Sequence, residues 1–260
     1  MTKDGDSRVR LGMFFFRSRA AAPKRKPALI PDGRRVYAIG DIHGRYDLLT
    51  RMLDTIHRDA AGGAAEPQIV FLGDYIDRGA DSRSVLECLR GGTQHGWTCL
   101  MGNHEAMLLA VLDGELDWPM WLGHGGAETL FSYGLSTREF AGRTEPEALR
   151  EAVLSAVPAS HIDFLRGLAG SHEVGGYFFC HAGIRPGVAL ERQVLSDLLW
   201  IREDFTESAL DHGKRVVHGH TPVMEPEILP NRVNVDTGAY LTNRLSCVVL
   251  EADQLRILQV

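Results

Sequence analysis

Short apolar runs that end in a glycine and a polar residue recur along the first half of the chain. Residues 36–39 run into Gly40-Asp41, residues 68–72 into Gly73-Asp74, and residues 97–101 into Gly102-Asn103. Runs this short, bounded by turn residues, predict buried strands. Between them the period lengthens. Tyr46, Leu48, Leu49, Met52, Leu53 and Ile56 fall at helical spacing within residues 45–57. Residues 81–90 predict a second helix with Asp81 or Ser82 as its N-cap, and residues 106–112 begin a third. Strand, loop and helix repeating in this order predict parallel strands with crossover helices. Such sheets bind ligands beyond the carboxyl ends of their strands, where the polar residues here fall.

The pattern changes after residue 112. Residues 113–170 hold Trp118, Trp121, the segment Gly123-His124-Gly125-Gly126 and two helical stretches, residues 145–157 and 161–168. They read as a helical, cap-like insertion with the tryptophans as core anchors. Strand patterns then return at residues 177–181, 215–218, 232–235 and 245–250, with a helix at residues 195–201. The expected organisation is a basic, flexible tail over residues 1–34 and one domain over residues 35–260.

Charge sharpens this division. The net charge is −6, with 28 Lys/Arg against 34 Asp/Glu. That balance argues against nucleic acid as the main partner. Residues 1–35 carry ten Lys/Arg and three Asp, so the leader is basic and the rest of the chain acidic. A solvated leader is expected, with weak association to anionic surfaces through residues 13–16 as a second use. The six residues between Arg10 and Arg17 are short for a secretory h-region, and no stretch has the length of a membrane span. Cys88, Cys99, Cys180 and Cys247 are scattered, as reduced thiols of a cytoplasmic protein would be. A monomer is expected.

The chemistry lies at the strand ends. Asp41 and His43 are two apart in extended chain, so both side chains can reach one point. Gly73-Asp74-Tyr75-Ile76-Asp77-Arg78-Gly79 sets Asp74 at the equivalent place one strand later, and Gly102-Asn103-His104-Glu105 repeats the design with a neutral oxygen ligand. His104, next to Asn103, points elsewhere and is free for acid–base work. Cys180-His181-Ala182-Gly183 and His218-Gly219-His220-Thr221 add strand-end histidines. Each motif alone has a dull explanation: a turn aspartate, a surface histidine. Five together would bury polar groups at a cost that a cation relieves. Carboxylate, imidazole and amide oxygen suit Mn, Fe, Zn or Co.

In this order the blocks resemble the phosphoprotein phosphatase branch of the calcineurin-like metallophosphoesterases, over roughly residues 36–250. Lambda-phage-type serine/threonine phosphatases and symmetrical diadenosine tetraphosphatases are the bacterial members most similar in style. The resemblance implies an α/β fold, an αββα sandwich of two mixed sheets flanked by helices. It implies two divalent ions, Mn²⁺ first, with Fe, Zn or Co as options. Asp41, His43 and a bridging Asp74 would hold one ion; Asp74, Asn103, His181 and His220 the other. His104 would be the general acid oriented by Asp77, and Arg78, Asn103 and His104 would meet the substrate phosphate. A second phosphate-binding arginine is expected between His181 and His220; Arg202 is the choice and Arg185 the runner-up.

A water between two cations loses its proton near neutral pH and attacks phosphorus in line, without a phosphoenzyme. The implied activity is hydrolysis of phosphoserine or phosphothreonine in proteins, with dinucleoside polyphosphate hydrolysis as the alternative on the same site. The Asp77-Arg78-Gly79 arginine disfavours a nuclease, and the full ligand set disfavours a metal-free scaffold. A phosphoprotein or a phosphorylated small molecule would be the partner. Of the remaining histidines, His218 competes with His220 as a ligand, and His124 reads as a loop histidine with substrate contact as its second reading. Asp236 and Tyr240 support or line the site, or form a structural turn.

Overall fold

A computed structural model describes residues 28–63, 65–136 and 145–260. The first sheet contains β1 (Arg34–Ile39), β2 (Glu66–Phe71), β3 (Thr98–Cys99), β9 (Ser246–Glu251) and β10 (Gln254–Gln259), in the order β10-β9-β1-β2-β3. Its β1, β2 and β3 are parallel, whereas β9 runs antiparallel to β1 and to β10. The second sheet contains β4 (Ser171–Val174), β5 (Tyr177–Cys180), β6 (Arg215–His218), β7 (Glu227–Ile228) and β8 (Arg232–Asn234), in the order β4-β5-β6-β8-β7. There β5, β6 and β8 are parallel and the two edge strands antiparallel.

The helices are α1 (Tyr46–Ala60), α2 (Ser82–Thr93), α3 (Asn103–Leu112), α4 (Trp118–Trp121), α5 (Ala127–Ser132), α6 (Pro146–Ala156), α7 (Ala159–Arg166), α8 (Leu195–Trp200), α9 (Glu203–Thr206) and α10 (Ala239–Thr242).

Alternation within the strands builds the layers. Val36 and Ala38 of β1, Val70 of β2, Val248 and Leu250 of β9, and Tyr177, Phe179 and Val217 of the second sheet form one buried cluster between the sheets. Their neighbours Tyr37, Ile39 and Phe71 turn the other way, onto Leu48, Leu49 and Met52 of α1 and Val85, Leu86 and Leu89 of α2. Phe178, Cys180 and Val216 face outward onto Leu198 and Phe205. Strands buried on both faces must be apolar throughout, which is why they read as continuous runs. Burying each such side chain contributes about 1.5–3 kcal/mol. The result is the expected αββα sandwich.

Register levels the strand ends. Ile39 pairs with Phe71, and Phe71 with Cys99, so the chain leaves all three strands at one edge. Asp81 caps α2 by accepting from the Ser84 amide at 3.1 Å. The strand expected over residues 97–101 is in register with β2 only at Thr98 and Cys99; the Leu100 amide still donates to the Phe71 carbonyl at 2.9 Å, and on its other side Leu100 bridges to Ala169, in the chain that ends the insertion. The strands β4, β7 and β10 carry too many polar residues for an apolar-run reading. In β10 (QLRILQ) polar residues alternate along an edge.

Residues 28–33 are ordered ahead of β1: Ile30 is buried and its amide donates to the Ala252 carbonyl at 2.9 Å. The basic leader's residues 1–27, the segment 13–16 included, lie outside the described residues. No described helix is long and apolar enough to cross a membrane. All four cysteines are free, and Cys99, Cys180 and Cys247 are buried.

Candidate metal centre

Parallel strands of both sheets deliver polar residues to one crevice. Asp41 and His43 follow β1, Asp74 follows β2, Asn103 opens α3 beyond β3, His181 follows β5 and His220 follows β6. Asp41, His43, Asp74, Asn103, His104, His181 and His220 are all buried. The backbone there is strained: His43, Asp74, Asp77, Arg78 and His220 all have positive φ, between 46° and 72°. Left-handed conformations at non-glycine residues cluster where function requires them.

Asp74 lies at the middle. Its Oδ2 is 3.4 Å from His43 Nε2 and 3.9 Å from His104 Nε2, and its Oδ1 is 3.4 Å from His181 Nε2. One carboxylate thus faces two groups of donors, His43 with His104 and His181 with His220. Asn103 joins the second group, with Oδ1 2.9 Å from His181 Nε2 and 2.8 Å from His220 Nδ1. Asp41 stands outside both groups and accepts the His220 amide through its two carboxylate oxygens, at 3.1 and 3.3 Å. The approach there is tight: a Cβ on Gly219 would fall 2.1 Å from Asp41 Oδ1.

The tautomers show what the site can bind. His43 Nδ1 lies 2.8 Å from the Ile76 carbonyl, and His181 Nδ1 lies 3.0 Å from the Leu72 carbonyl. A carbonyl oxygen only accepts, so each ring donates from Nδ1 and turns its Nε2 lone pair inward. His181 Nε2 and Asn103 Oδ1 are then two acceptors facing each other, and the His220 ring presents Nδ1 to the same Asn103 oxygen at 2.8 Å. Converging lone pairs of imidazole, amide and carboxylate fit divalent cations such as Mn, Fe or Zn.

Burial and crowding set the ionisation. Burial holds His43 down at about 3 and His220 at about 2, so neither ring competes as a cation. Burial, reinforced by the Asp236 and Asp74 carboxylates, pushes Asp41 well above its ordinary value, and burial raises Asp236 to about 6. Burial opposes the charge of Asp74, but the surrounding imidazoles outweigh it and hold this carboxyl below its usual range.

Asp41, the raised carboxyl among the candidate ligands, must release its proton before a cation can bind there. Metal affinity is therefore expected to weaken as pH falls, by about tenfold per unit for one displaced proton. Isothermal titrations of Mn²⁺ at pH 5, 6 and 7.5 would show it; a flat affinity would contradict it.

Beside this centre His104 Nδ1 meets Asp77 Oδ2 at 2.6 Å. Burial disfavours the charged His104 ring, but Asp74 and Asp77 outweigh it and raise its pKa. Arg78 Nη1 donates to His43 Nε2 at 3.0 Å, and its guanidinium lies 4.8 Å from the centroid of the Tyr240 ring. Arg78, His124, Glu128 and Tyr240 line a cavity of about 380 Å³. Arg202 is exposed, and its charge bears on His181 and His220. Arg185 is held elsewhere: Asp197 grips it at 2.6 Å and Asp204 also pairs with it. His218 is buried against the Phe205 ring, outside both donor groups. Asp236 stands beside Asp41 and accepts the Gly238 amide at 2.8 Å.

Glu105 accepts amides from Gly102, Asp74, Tyr75 and Ile76, at 2.7–3.2 Å, and so ties the start of α3 to the Asp74 loop. Three residues past Gly102, its carboxylate reaches back to the Gly102 amide as the glutamate half of a capping box does. Trp121 and Thr129 also reach Asp77. No local signal in the sequence pairs them with it.

The profile of the calcineurin-like phosphoesterase family matches residues 34–253. Bis(5'-nucleosyl)-tetraphosphatase PrpE (asymmetrical) of Bacillus subtilis (strain 168) is 28% identical over 230 residues, 80% of this chain and 87% of that protein. Serine/threonine-protein phosphatase 2 of Escherichia coli (strain K12) is 27% identical over 82% of this chain and 91% of its own. The crystal structure of a cold-active protein-tyrosine phosphatase of a Shewanella species superposes with a TM-score of 0.57 at 17% identity, covering 92% of this chain and 84% of that one. A chain provisionally named a diadenosine tetraphosphatase superposes with a TM-score of 0.62 at 19% identity, covering 90% and 98%.

Proposed function

Because this chain belongs to the calcineurin-like phosphoesterase family, in its phosphoprotein phosphatase branch, we propose that it is a metal-dependent phosphomonoesterase acting on phosphoserine and phosphothreonine in proteins. The observation that carries this reading is the Asp74 carboxylate shared between two donor groups, with the His104–Asp77 pair and Arg78 beside it.

Asp41, His43 and Asp74 would hold one ion, and Asp74, Asn103, His181 and His220 the other. Two bound divalent ions, Mn²⁺ in this reading, would polarise phosphate oxygens and lower the pKa of water. The chain's own residues do the rest. Arg78 and Arg202 fork onto phosphate oxygens, which a lysine cannot match. Asp77 holds the His104 ring with its Nε2 proton towards the crevice. As the P–O bond breaks and its electron pair passes to the leaving oxygen, His104 gives that oxygen the proton. The protein is proposed to work as a cytoplasmic monomer on phosphoprotein or a phosphorylated small molecule, with no nucleic acid partner.

The second reading is hydrolysis of dinucleoside polyphosphates, favoured by the similarity to the Bacillus tetraphosphatase. A panel with added Mn²⁺ separates the two: phosphoserine and phosphothreonine peptides, a phosphotyrosine peptide, an aryl phosphate and diadenosine tetraphosphate. Preference for the phosphoserine and phosphothreonine peptides is expected; turnover confined to the dinucleotide would replace the first reading with the second.

Arg202→Ala is expected to raise KM about 10- to 100-fold, the cost of a hydrogen bond to a charged group, and Arg202→Lys to restore little. Steady-state kinetics decide it: an unchanged Arg202→Ala enzyme with a damaged Arg185→Ala enzyme would move the role to Arg185.

A further inference from the structure

Asp77 is gripped from a distant part of the chain. Its Oδ2, which meets His104 Nδ1 at 2.6 Å, also accepts from Trp121 Nε1 at 2.9 Å. Its Oδ1 accepts from the Thr129 hydroxyl at 2.6 Å, and the same hydroxyl accepts the Asp77 amide at 2.8 Å. Ser82 closes the cluster, with Oγ 3.1 Å from Thr129 Oγ1. Asp77, His104, Trp121, Thr129 and Ser82 are all buried, so water cannot replace a lost donor. Asp77 also carries a left-handed backbone, φ 72°, which needs outside support.

Between the two donors runs the wide turn Leu122–Gly126, whose Gly125 carbonyl accepts the Arg78 amide at 3.0 Å. One stretch of the insertion therefore fixes both the partner of His104 and the backbone of Arg78. We infer that Trp121 and Thr129 are positioning residues for the His104–Asp77 pair, so that the insertion takes a direct part in proton delivery to the leaving group. This inference rests on the reading of His104 as the proton donor.

The geometry gives the roles. A carboxylate held by one imidazole is free to rotate about its Cβ–Cγ bond. Trp121 on one oxygen and Thr129 on the other fix that plane, and with it the direction in which His104 Nε2 points. The indole is itself held closely: a Cβ on Gly126 would lie 2.4 Å from Trp121 Cε2. Gly126 has φ −66°, which any residue adopts. Gly126→Ala would thus act by moving the indole, without backbone strain.

A purely structural role and a positioning role differ in which substrates suffer. A good leaving group, such as nitrophenolate, departs without a proton, whereas a phenolate or alkoxide needs one. The test compares kcat on 4-nitrophenyl phosphate and phenyl phosphate at saturating Mn²⁺. The enzymes are wild type, His104→Ala, Trp121→Phe, Thr129→Val and Thr129→Ser. Trp121→Phe and Thr129→Val are expected to lose about tenfold or more on phenyl phosphate, as for a hydrogen bond to a charged group, and little on the nitrophenyl ester. Thr129→Ser, which keeps the hydroxyl, should follow wild type.

Equal losses on both esters, or no loss on either, in Trp121→Phe and Thr129→Val would overturn the inference. If Trp121→Phe does not fold, the Thr129→Val and Thr129→Ser pair decides alone. A selective loss in His104→Ala without one in the positioning variants defeats only this inference. Equal losses in His104→Ala defeat the acid assignment and this inference with it.

Discussion

Asp74→Asn is expected to cut turnover by at least about 10²–10³-fold, the cost of losing one preorganised electrostatic stabiliser, and to reduce bound divalent metal to at most one ion per chain. Asp74 is the only carboxylate that faces both donor groups among the described residues. The substitution keeps the side chain's shape and one acceptor oxygen, so the His104 amide, 3.1 Å from Asp74 Oδ1, keeps a partner. What disappears is the negative charge between His43 and His181. The metal-free variant should therefore melt close to the metal-free wild type, while Mn²⁺ should raise the Tm of wild type much more than that of the variant. Metal analysis and thermal melts on the same samples check both halves. A variant that binds two ions and turns over normally would remove Asp74 from the centre of the site.

His104→Ala is expected to lower kcat about 10²- to 10⁴-fold, the range for removing a general acid, while metal content stays at the wild-type level. The geometry leaves a competing role open to test. His104 Nε2 falls within the first donor group, alongside His43 and Asp74, where Asp41 does not. Two features favour the acid over the ligand: His104 stands farther from Asp74 than His43 does, at 3.9 against 3.4 Å, and its Nδ1 is committed to Asp77 at 2.6 Å. A ligand's loss would carry metal away with it. Kinetics at saturating Mn²⁺, with metal analysis of the same protein, separate the roles; loss of one ion together with activity would make His104 a ligand.

The layout of the site was legible where chemistry coincides with a strand end. A buried parallel strand needs apolar residues on both faces, so the first polar residue after each run marks the crevice, as at Asp41, Asp74 and Asn103. The order of motifs points to His220 over His218, and in the fold His220 faces Asn103 and His181. Both histidines flank one glycine and both are buried, so spacing alone does not separate them; His220 has φ 65° and its ring faces Asn103 and His181.

Other features left no local trace. Trp121 and Thr129 lie 44 and 52 positions from Asp77, and their hydrogen bonds exist only because the insertion folds back. An indole at helical spacing reads as packing, which Trp121 also provides against Trp118. Arg185 was a reasonable runner-up by position, but its pairing with Asp197 and Asp204 depends on how α8 and α9 pack. The strand β10 escapes an apolar-run reading because Gln254 and Arg256 stay exposed on one face while Leu255 and Ile257 on the other pack against the cluster between the sheets.

The central claim is that Asp74 joins two cation sites into one hydrolytic centre. Counting bound Mn²⁺ per chain while following phosphate release during metal titration of the chelator-stripped protein tests it most directly. The account predicts two ions per chain and activity that rises with occupancy of the second. Full activity with a single ion, or activity indifferent to chelation, would contradict it.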